Sequence, residues 1–300
     1  MSGALRDGVV RFDKPVGPTS HDMVAIARRE LGIRKVGHSG TLDPFASGLL
    51  LLCLGPSTRL AEYLSDLPKE YSARARLGVS TTTADPEGEV VGTSDAWESL
   101  VEGQIDSALQ EFVGETDQMP PAFSAKKVGG ERAYRLARRG EDVSLAAASV
   151  SVYRIALDAV DLPFIDFTVL CSTGTYVRGI ARDVGEQLRV GAHLTELRRV
   201  AIGPFQVEGA VLPGRLGDAE AVRAAWIPPL EAVAHLPLLQ DPSEETVIRL
   251  RRGQGVPIAG LGVPEGDEGG EVAVVCGERL VAIAVRDGDQ VRPRKVFPLE

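Results

Sequence analysis

Gly37-His38-Ser39-Gly40-Thr41-Leu42-Asp43-Pro44-Phe45-Ala46-Ser47-Gly48, running straight into Leu49-Leu50-Leu51-Leu52-Cys53-Leu54, is the stretch from which the rest of the chain is read. Glycines before Asp43 and a proline after it require irregular backbone, and the apolar run that follows reads as a strand buried on both faces. A carboxylate is thereby expected at the lip of a core. Asp-Pro is also a helix start, with Asp as N-cap and Pro at the first helical position. A histidine, hydroxyl residues and three glycines so close together exceed the needs of a cap, and Gly-rich loops on a rigid scaffold admit close approach by a ligand.

The chain has 300 residues, 44% apolar and 25% charged, which is ordinary for a soluble globular protein. That length implies one large domain and a small one. No apolar run is long enough to span a membrane, and Met1 to Asp7 lacks the apolar core of a signal peptide, so a cytoplasmic protein is expected. Cys53, Cys171 and Cys276 lie far apart in apolar runs and read as three reduced, buried thiols. His21, His38, His193 and His235 show no ligand spacing, and there is neither a P-loop nor a dinucleotide-binding glycine fingerprint. No metal and no cofactor are expected.

A net charge of −9 argues at face value against a polyanionic partner. Its distribution reverses the inference. Residues 85 to 118 hold ten Asp/Glu and no Lys/Arg, whereas residues 122 to 140 hold Lys126, Lys127, Arg132, Arg135, Arg138 and Arg139 against Glu131. An acidic back with basic patches suits an RNA binder that avoids indiscriminate binding; solvated faces are the plain alternative.

In order, Val9 to Phe12 reads as a strand entering a Pro/Gly loop, and Thr19 or Ser20 caps a helix with Met23, Ile26, Ala27 and Leu31 on one stripe and Gly32 at its end. Lys69 to Leu77 alternates, with Tyr71, Ala73, Ala75 and Leu77 inward. Val101, Ile105, Ala108, Leu109 and Phe112 form the stripe of a helix, and the basic patch reads as another that closes at Gly140. Strands are expected over 149–157 and 165–171, then a helix capped by Thr175 with Val177, Ile180, Ala181, Val184 and Leu188 buried. On spacing alone Arg178 and Arg182 are a pair of helix arginines and Lys14 a surface lysine. Beyond a Pro/Ala-rich transition from Trp226 to Pro242, short strands take over, with Gly277-Glu278 joining two as a hairpin.

Four stretches carry a resemblance: Asp13-Lys14-Pro15-Val16-Gly17-Pro18-Thr19-Ser20, Gly37 to Pro44, Gly174-Thr175-Tyr176-Val177-Arg178, and His193-Leu194-Thr195-Glu196-Leu197-Arg198-Arg199. In this order they resemble the motifs of the bacterial tRNA pseudouridine synthase B family across nearly the whole chain. The resemblance implies an α+β fold with a mixed or antiparallel central sheet flanked by helices over residues 1–235, and a small β-barrel resembling a PUA domain over 240–300. It implies a monomer that isomerises uridine 55 in the T stem-loop of tRNA, with no protein partner. Asp43, Tyr71 and Arg178 would be catalytic, with Arg178 pairing with Asp43 and lowering its pKa. His38, Tyr71, Tyr176 and Leu197 would bind the substrate, His38 by filling the stack that the uridine vacates, and Lys14 would be architectural. Arg251, Arg252, Arg292, Arg294 and Lys295 could touch RNA outside the T loop.

Pseudouridine formation breaks C1'–N1, turns the uracil, joins C5 to C1' and removes the C5 proton, with no redox change. One aspartate can serve by nucleophilic attack or by proton transfer. The alternatives are a catalytically idle tRNA-binding or tRNA-folding protein and a glycoside-cleaving enzyme, and the second requires two carboxylates flanking the bond.

Overall fold

The computed structural model describes residues 7–119, 127–128, 131–132, 139, 146–259, 261–262 and 269–298. Its strands are β1 (Gly8–Lys14), β2 (Val36–Ser39), β3 (Ser47–Leu54), β4 (Lys69–Leu77), β5 (Val79–Thr81), β6 (Val90–Thr93), β7 (Gly114–Gln118), β8 (Lys127–Val128), β9 (Glu131–Arg132), β10 (Ala148–Asp161), β11 (Phe164–Cys171), β12 (Ala192–Ile202), β13 (Phe205–Gln206), β14 (Trp226–Ile227), β15 (Leu238–Gln240), β16 (Val256–Pro257), β17 (Glu271–Cys276), β18 (Arg279–Asp287) and β19 (Gln290–Val296). The main sheet runs β14-β1-β3-β12-β4-β11-β10-β7, with β2 added to β3 and β13 to β12. Only β3 and β12 are parallel along this path, so the sheet is mixed, as expected.

Strand β3 is the seam between two cores. Leu49, Leu51 and Cys53 face one, Leu50, Leu52 and Leu54 the other, and all six are fully buried. Period-2 alternation with both faces covered leaves no position for a polar residue, which is why the run is continuous. On one side lies the helix Ser20–Leu31, held by a capping box between Thr19 and Asp22 and ended by Gly32 at φ 66. Further along the sheet, the helices Glu102–Gln110 and Val177–Gln187 cover Ile165, Phe167, Val169 and Cys171.

Several readings shift. Val101 stands before its helix, 62% exposed, instead of on the buried stripe. Tyr176, and not Thr175, occupies the N-cap of the helix Val177–Gln187. Cys53 and Cys171 are buried free thiols, but Cys276 is exposed because it ends its strand beside the Gly277-Glu278 turn. Most of the basic segment lies outside the described residues; within it Lys127–Val128 and Glu131–Arg132 pair as antiparallel strands, so a helix does not run through 122–140.

The tail forms a five-stranded sheet, β15-β17-β18-β19-β16, with the hairpin at Gly277-Glu278 where the sequence placed it. One face packs on its own helix through Leu239, Val247, Leu250 and Val274. From the other, Ala273, Leu280, Ile283 and Phe297 join the cluster of Leu49, Leu51 and Cys53. Ion pairs tighten this junction: Glu62 meets Arg294 at 3.1 Å and Lys295 at 2.6 Å, and Glu271 meets Arg294 at 2.5 Å. Arg294 and Lys295 are thus engaged in docking the tail, and Arg292 pairs with Asp287 at 2.7 Å. Ile283→Ala should lower stability by about 2–5 kcal/mol in urea denaturation, since it empties a fully buried site in the shared cluster. An unchanged midpoint would show that the two sheets do not stabilise each other there.

Candidate active site

Asp43 is presented by a strapped turn. No helix follows it: Ala46 N–H closes a turn on the Asp43 carbonyl at 3.1 Å and strand β3 begins at Ser47, which removes the N-cap reading. Ser20 Oγ accepts from Leu42 N–H at 2.9 Å and donates to the Leu42 carbonyl at 3.2 Å. Leu42, Phe45 and Ala46 anchor the turn in the core. From beneath, the fully buried Lys14 donates to the carbonyls of Pro15 (2.9 Å), Pro44 (3.3 Å) and Ala46 (2.6 Å). Lys14 is therefore a strut and not a surface lysine. Burial lowers its pKa to about 8 against the pull of Asp43, so it is mostly charged at neutral pH.

Arg178 enters from the first turn of the helix Val177–Gln187. Its side chain is 3% exposed, with Nε 2.8 Å from Asp43 Oδ2 and Nη1 3.0 Å from Asp85 Oδ2. Nη1 also donates to the Thr83 carbonyl at 3.0 Å. Asp85 is itself buried: Oδ1 accepts from the Thr83 hydroxyl and, at 3.0 Å, from Glu87 N–H. Arg182, one turn on, pairs with Asp183 at 2.6 Å instead.

The net effect on Asp43 differs from the expected lowering. Burial pushes its carboxyl above the ordinary 3.8; Arg178 opposes this, Asp85 adds to it, and Lys14 opposes it weakly. With only 35% of its side chain open, toward the pocket, the loss of hydration outweighs one shared guanidinium.

Asp43, Tyr71, Tyr176, Arg178 and Leu197 line one cavity of about 190 Å³, so the structure brings together five of the six expected site residues. His38 is not among them. It lies on β2 opposite Leu52, two residues before Gly40 at the cavity wall. Tyr176 is fixed at its backbone by the buried Gln118, which accepts from its N–H at 2.8 Å and donates to its carbonyl at 2.9 Å. Gly179 makes room for that amide, since a Cβ there would lie 2.7 Å from Gln118 Nε2. Burial raises the Tyr71 phenol above its ordinary value while Arg199 counteracts.

Asp85, Gln118, Lys69 and Arg199 were missed as site residues. Asp85 carried one legible signal, the same Asp-Pro dipeptide that marks Asp43, but it sat in an acidic stretch that reads as solvated surface. Gln118 carried none. Among the described residues no cluster of three or more His, Cys, Asp or Glu side chains comes together as a metal site.

The motif stretches converge on this cavity, and comparison with known proteins gives them a family. Residues 28–177 match the model of the TruB family pseudouridylate synthase N-terminal domain, and residues 178–232 that of the tRNA pseudouridylate synthase B C-terminal domain. The chain is 41% identical over 293 residues to a tRNA pseudouridine synthase B of Burkholderia lata, covering 97% of this chain and 90% of that one. It is 39% identical to that of Geobacter sulfurreducens, covering 97% and 99%. In structure it resembles a chain of a Cbf5-Nop10-Gar1 complex (TM-score 0.78, 30% identity, 98% of this chain and 86% of that one). A chain of an H/ACA RNP bound to a substrate RNA containing 2'-deoxyuridine is also similar (TM-score 0.77, 28% identity, 98% and 86%). The chain belongs to the TruB family of pseudouridylate synthases.

The Asp43 carboxyl should titrate above 3.8 when followed by carbon-13 NMR, and Asp85→Asn should bring its midpoint down by removing a like charge and leaving the guanidinium to Asp43. A native midpoint at or below 3.8 would show that the ion pair outweighs burial. The sign extends to stability. A folded pKa above the unfolded one means that ionising Asp43 costs stability as pH rises from 3.8 through the folded value. At pH 7, Asp43→Asn should therefore leave Tm unchanged or raise it.

Proposed function

We propose that the protein isomerises uridine 55 in the T loop of tRNA to pseudouridine, acting as a cytoplasmic monomer without metal, cofactor or protein partner. The observation that carries this reading is Asp43, held by Arg178 at 2.8 Å on the wall of a cavity with aromatic and apolar sides. A single ionised carboxylate facing such a cavity suits a flipped pyrimidine nucleotide whose glycosidic bond is rearranged in place. Among the described residues lining the cavity Asp43 is the only carboxylate, and both oxygens of the nearby Asp85 are occupied inside the protein.

In this reading Asp43 acts on the flipped uridine, by attack or by proton transfer, and Arg178 holds it ionised and aimed. Leu197 and Tyr176 flank the uracil, and Tyr71 beneath it holds the ring or helps to remove the C5 proton. His38, outside the cavity yet adjoining it along β2, fills the vacated stack in the RNA. Residues 1–235 form the catalytic unit. Residues 240–300 act as a PUA-like RNA-binding element through the exposed Arg251 and Arg252, since Arg294 and Lys295 are tied to Glu62.

The test is tritium release from a T stem-loop RNA carrying 5-tritiated uridine. Wild-type protein should release tritium in excess EDTA, and Asp43→Asn should reduce release at least about 1,000-fold while binding the RNA with unchanged affinity. Residual turnover within tenfold of wild type would remove Asp43 from the chemistry; binding without any release by wild type would mean a tRNA-binding protein instead. Because the raised carboxyl must be ionised, kcat/KM should fall on an acid limb whose midpoint lies above 3.8.

A further inference from the structure

Arg199 is an anomaly by electrostatics. It is 1% exposed and heads the fully buried side chains by size. Among the described residues no carboxylate pairs with it. Its neighbour Arg198 makes a two-pronged pair with Asp13 (3.0 and 2.7 Å), and Arg178 sits between two carboxylates. Burying a permanently charged group without a counter-ion works against stability, and an apolar side chain of similar volume is often at least as stabilising in such a place.

What the guanidinium touches explains its retention. Nε donates to the Leu49 carbonyl at 2.7 Å and Nη2 to the Gly40 carbonyl at 3.3 Å, so it grips the two ends of the segment that carries Asp43. Strand β12 can come this close because residue 48 is glycine: a Cβ there would lie 2.2 Å from the Arg199 carbonyl oxygen. Across the sheet Arg199 stands directly opposite Tyr71, and residues opposite each other on antiparallel strands project to the same face. Both line the cavity. The charge and hydrogen bonding of Arg199 also act on the Tyr71 phenol.

We infer that Arg199 is a positioning residue that fixes the Tyr71 hydroxyl relative to the Asp43 segment, clamping both to one guanidinium so that they meet the uracil at a constant separation. This deepens the proposed pseudouridine synthase reading and rests on it. A guanidinium suits the task because its planar fork can serve two carbonyls and a phenol at once, whereas an ammonium cannot keep that spread.

The test is a double-mutant cycle of Arg199→Gln and Tyr71→Phe, using tritium release from the same T stem-loop RNA. Arg199→Gln should lower kcat about 100-fold, the scale of a misplacement of about 1 Å, with little change in KM. In the Tyr71→Phe background it should cost no more than about twofold further, because there is no hydroxyl left to place. An equal loss in both backgrounds would reduce Arg199 to a structural arginine and overturn the proposal, as would a Tyr71→Phe enzyme with wild-type kcat. If Arg199→Gln does not fold by circular dichroism, Arg199→Lys carries the same cycle with the same outcomes. Failure of the underlying reading shows separately, as absence of tritium release by wild type.

Discussion

The site depends on one buried guanidinium shared by two carboxylates. Arg178 cannot shed its charge, and at 3% exposure that charge is balanced by carboxylates within the protein. Asp85, equally buried and saturated by the Thr83 hydroxyl and Glu87 N–H, supplies that compensation from inside. Asp43 supplies it from the cavity side and keeps part of its surface open to a ligand. The division separates a fixed partner from a working one. Removing one partner of a buried pair typically costs about 3–5 kcal/mol, so Asp85 anchors Arg178 against rotation into the cavity while Asp43 faces the space where the proposed chemistry lies.

Each of the four motifs is a strut of this arrangement. Lys14 of the first holds the turn of the second from below, and Asp13 beside it locks Arg198 of the fourth in a fork. Arg178 of the third pairs with Asp43, and Arg199 of the fourth grips Gly40 and Leu49 on either side of Asp43. Stretches separated by up to 185 positions in sequence thus meet through charged or carbonyl contacts in one place. Their short length follows: each need present only one or two side chains from a rigid strand, turn or helix end.

This explains what was legible. Strand β3 could be read because burial on both faces enforces an unbroken apolar run, and the helix Ser20–Leu31 because its cap, stripe and terminal glycine all lie within it. Val101 and Thr175 misled because an apolar side chain just outside a helix, or a hydroxyl one residue early, is locally as plausible as the true boundary. Asp85, Gln118 and Arg199 were hidden for another reason. Their roles are defined by partners 93, 58 and, for Leu49, 150 positions away, and no local period encodes such distances. The pKa of Asp43 was misjudged likewise: the opposing charge was visible as a motif residue, but the burial that outweighs it is a property of the assembled cavity.

The balance of charge around that cavity also resolves the tension between an acidic chain and an RNA partner. Net charge is −9, yet Lys69, Arg178 and Arg199 line the cavity with Asp43, and Lys14 and Asp85 are buried close to Asp43. Burial lowers Lys14 and Lys69 to about 8, which still leaves both mostly charged at neutral pH. Water cannot screen these groups as it screens the exposed acidic helix Glu102–Gln110, so their field is felt most strongly inside the pocket. A polyanion meets little general attraction at the acidic surface, whereas a nucleotide inserted into the cavity enters a positive, low-dielectric environment. In the proposed reading, selectivity for an extruded nucleotide over bulk nucleic acid comes from where the charges are buried rather than from how many the chain carries.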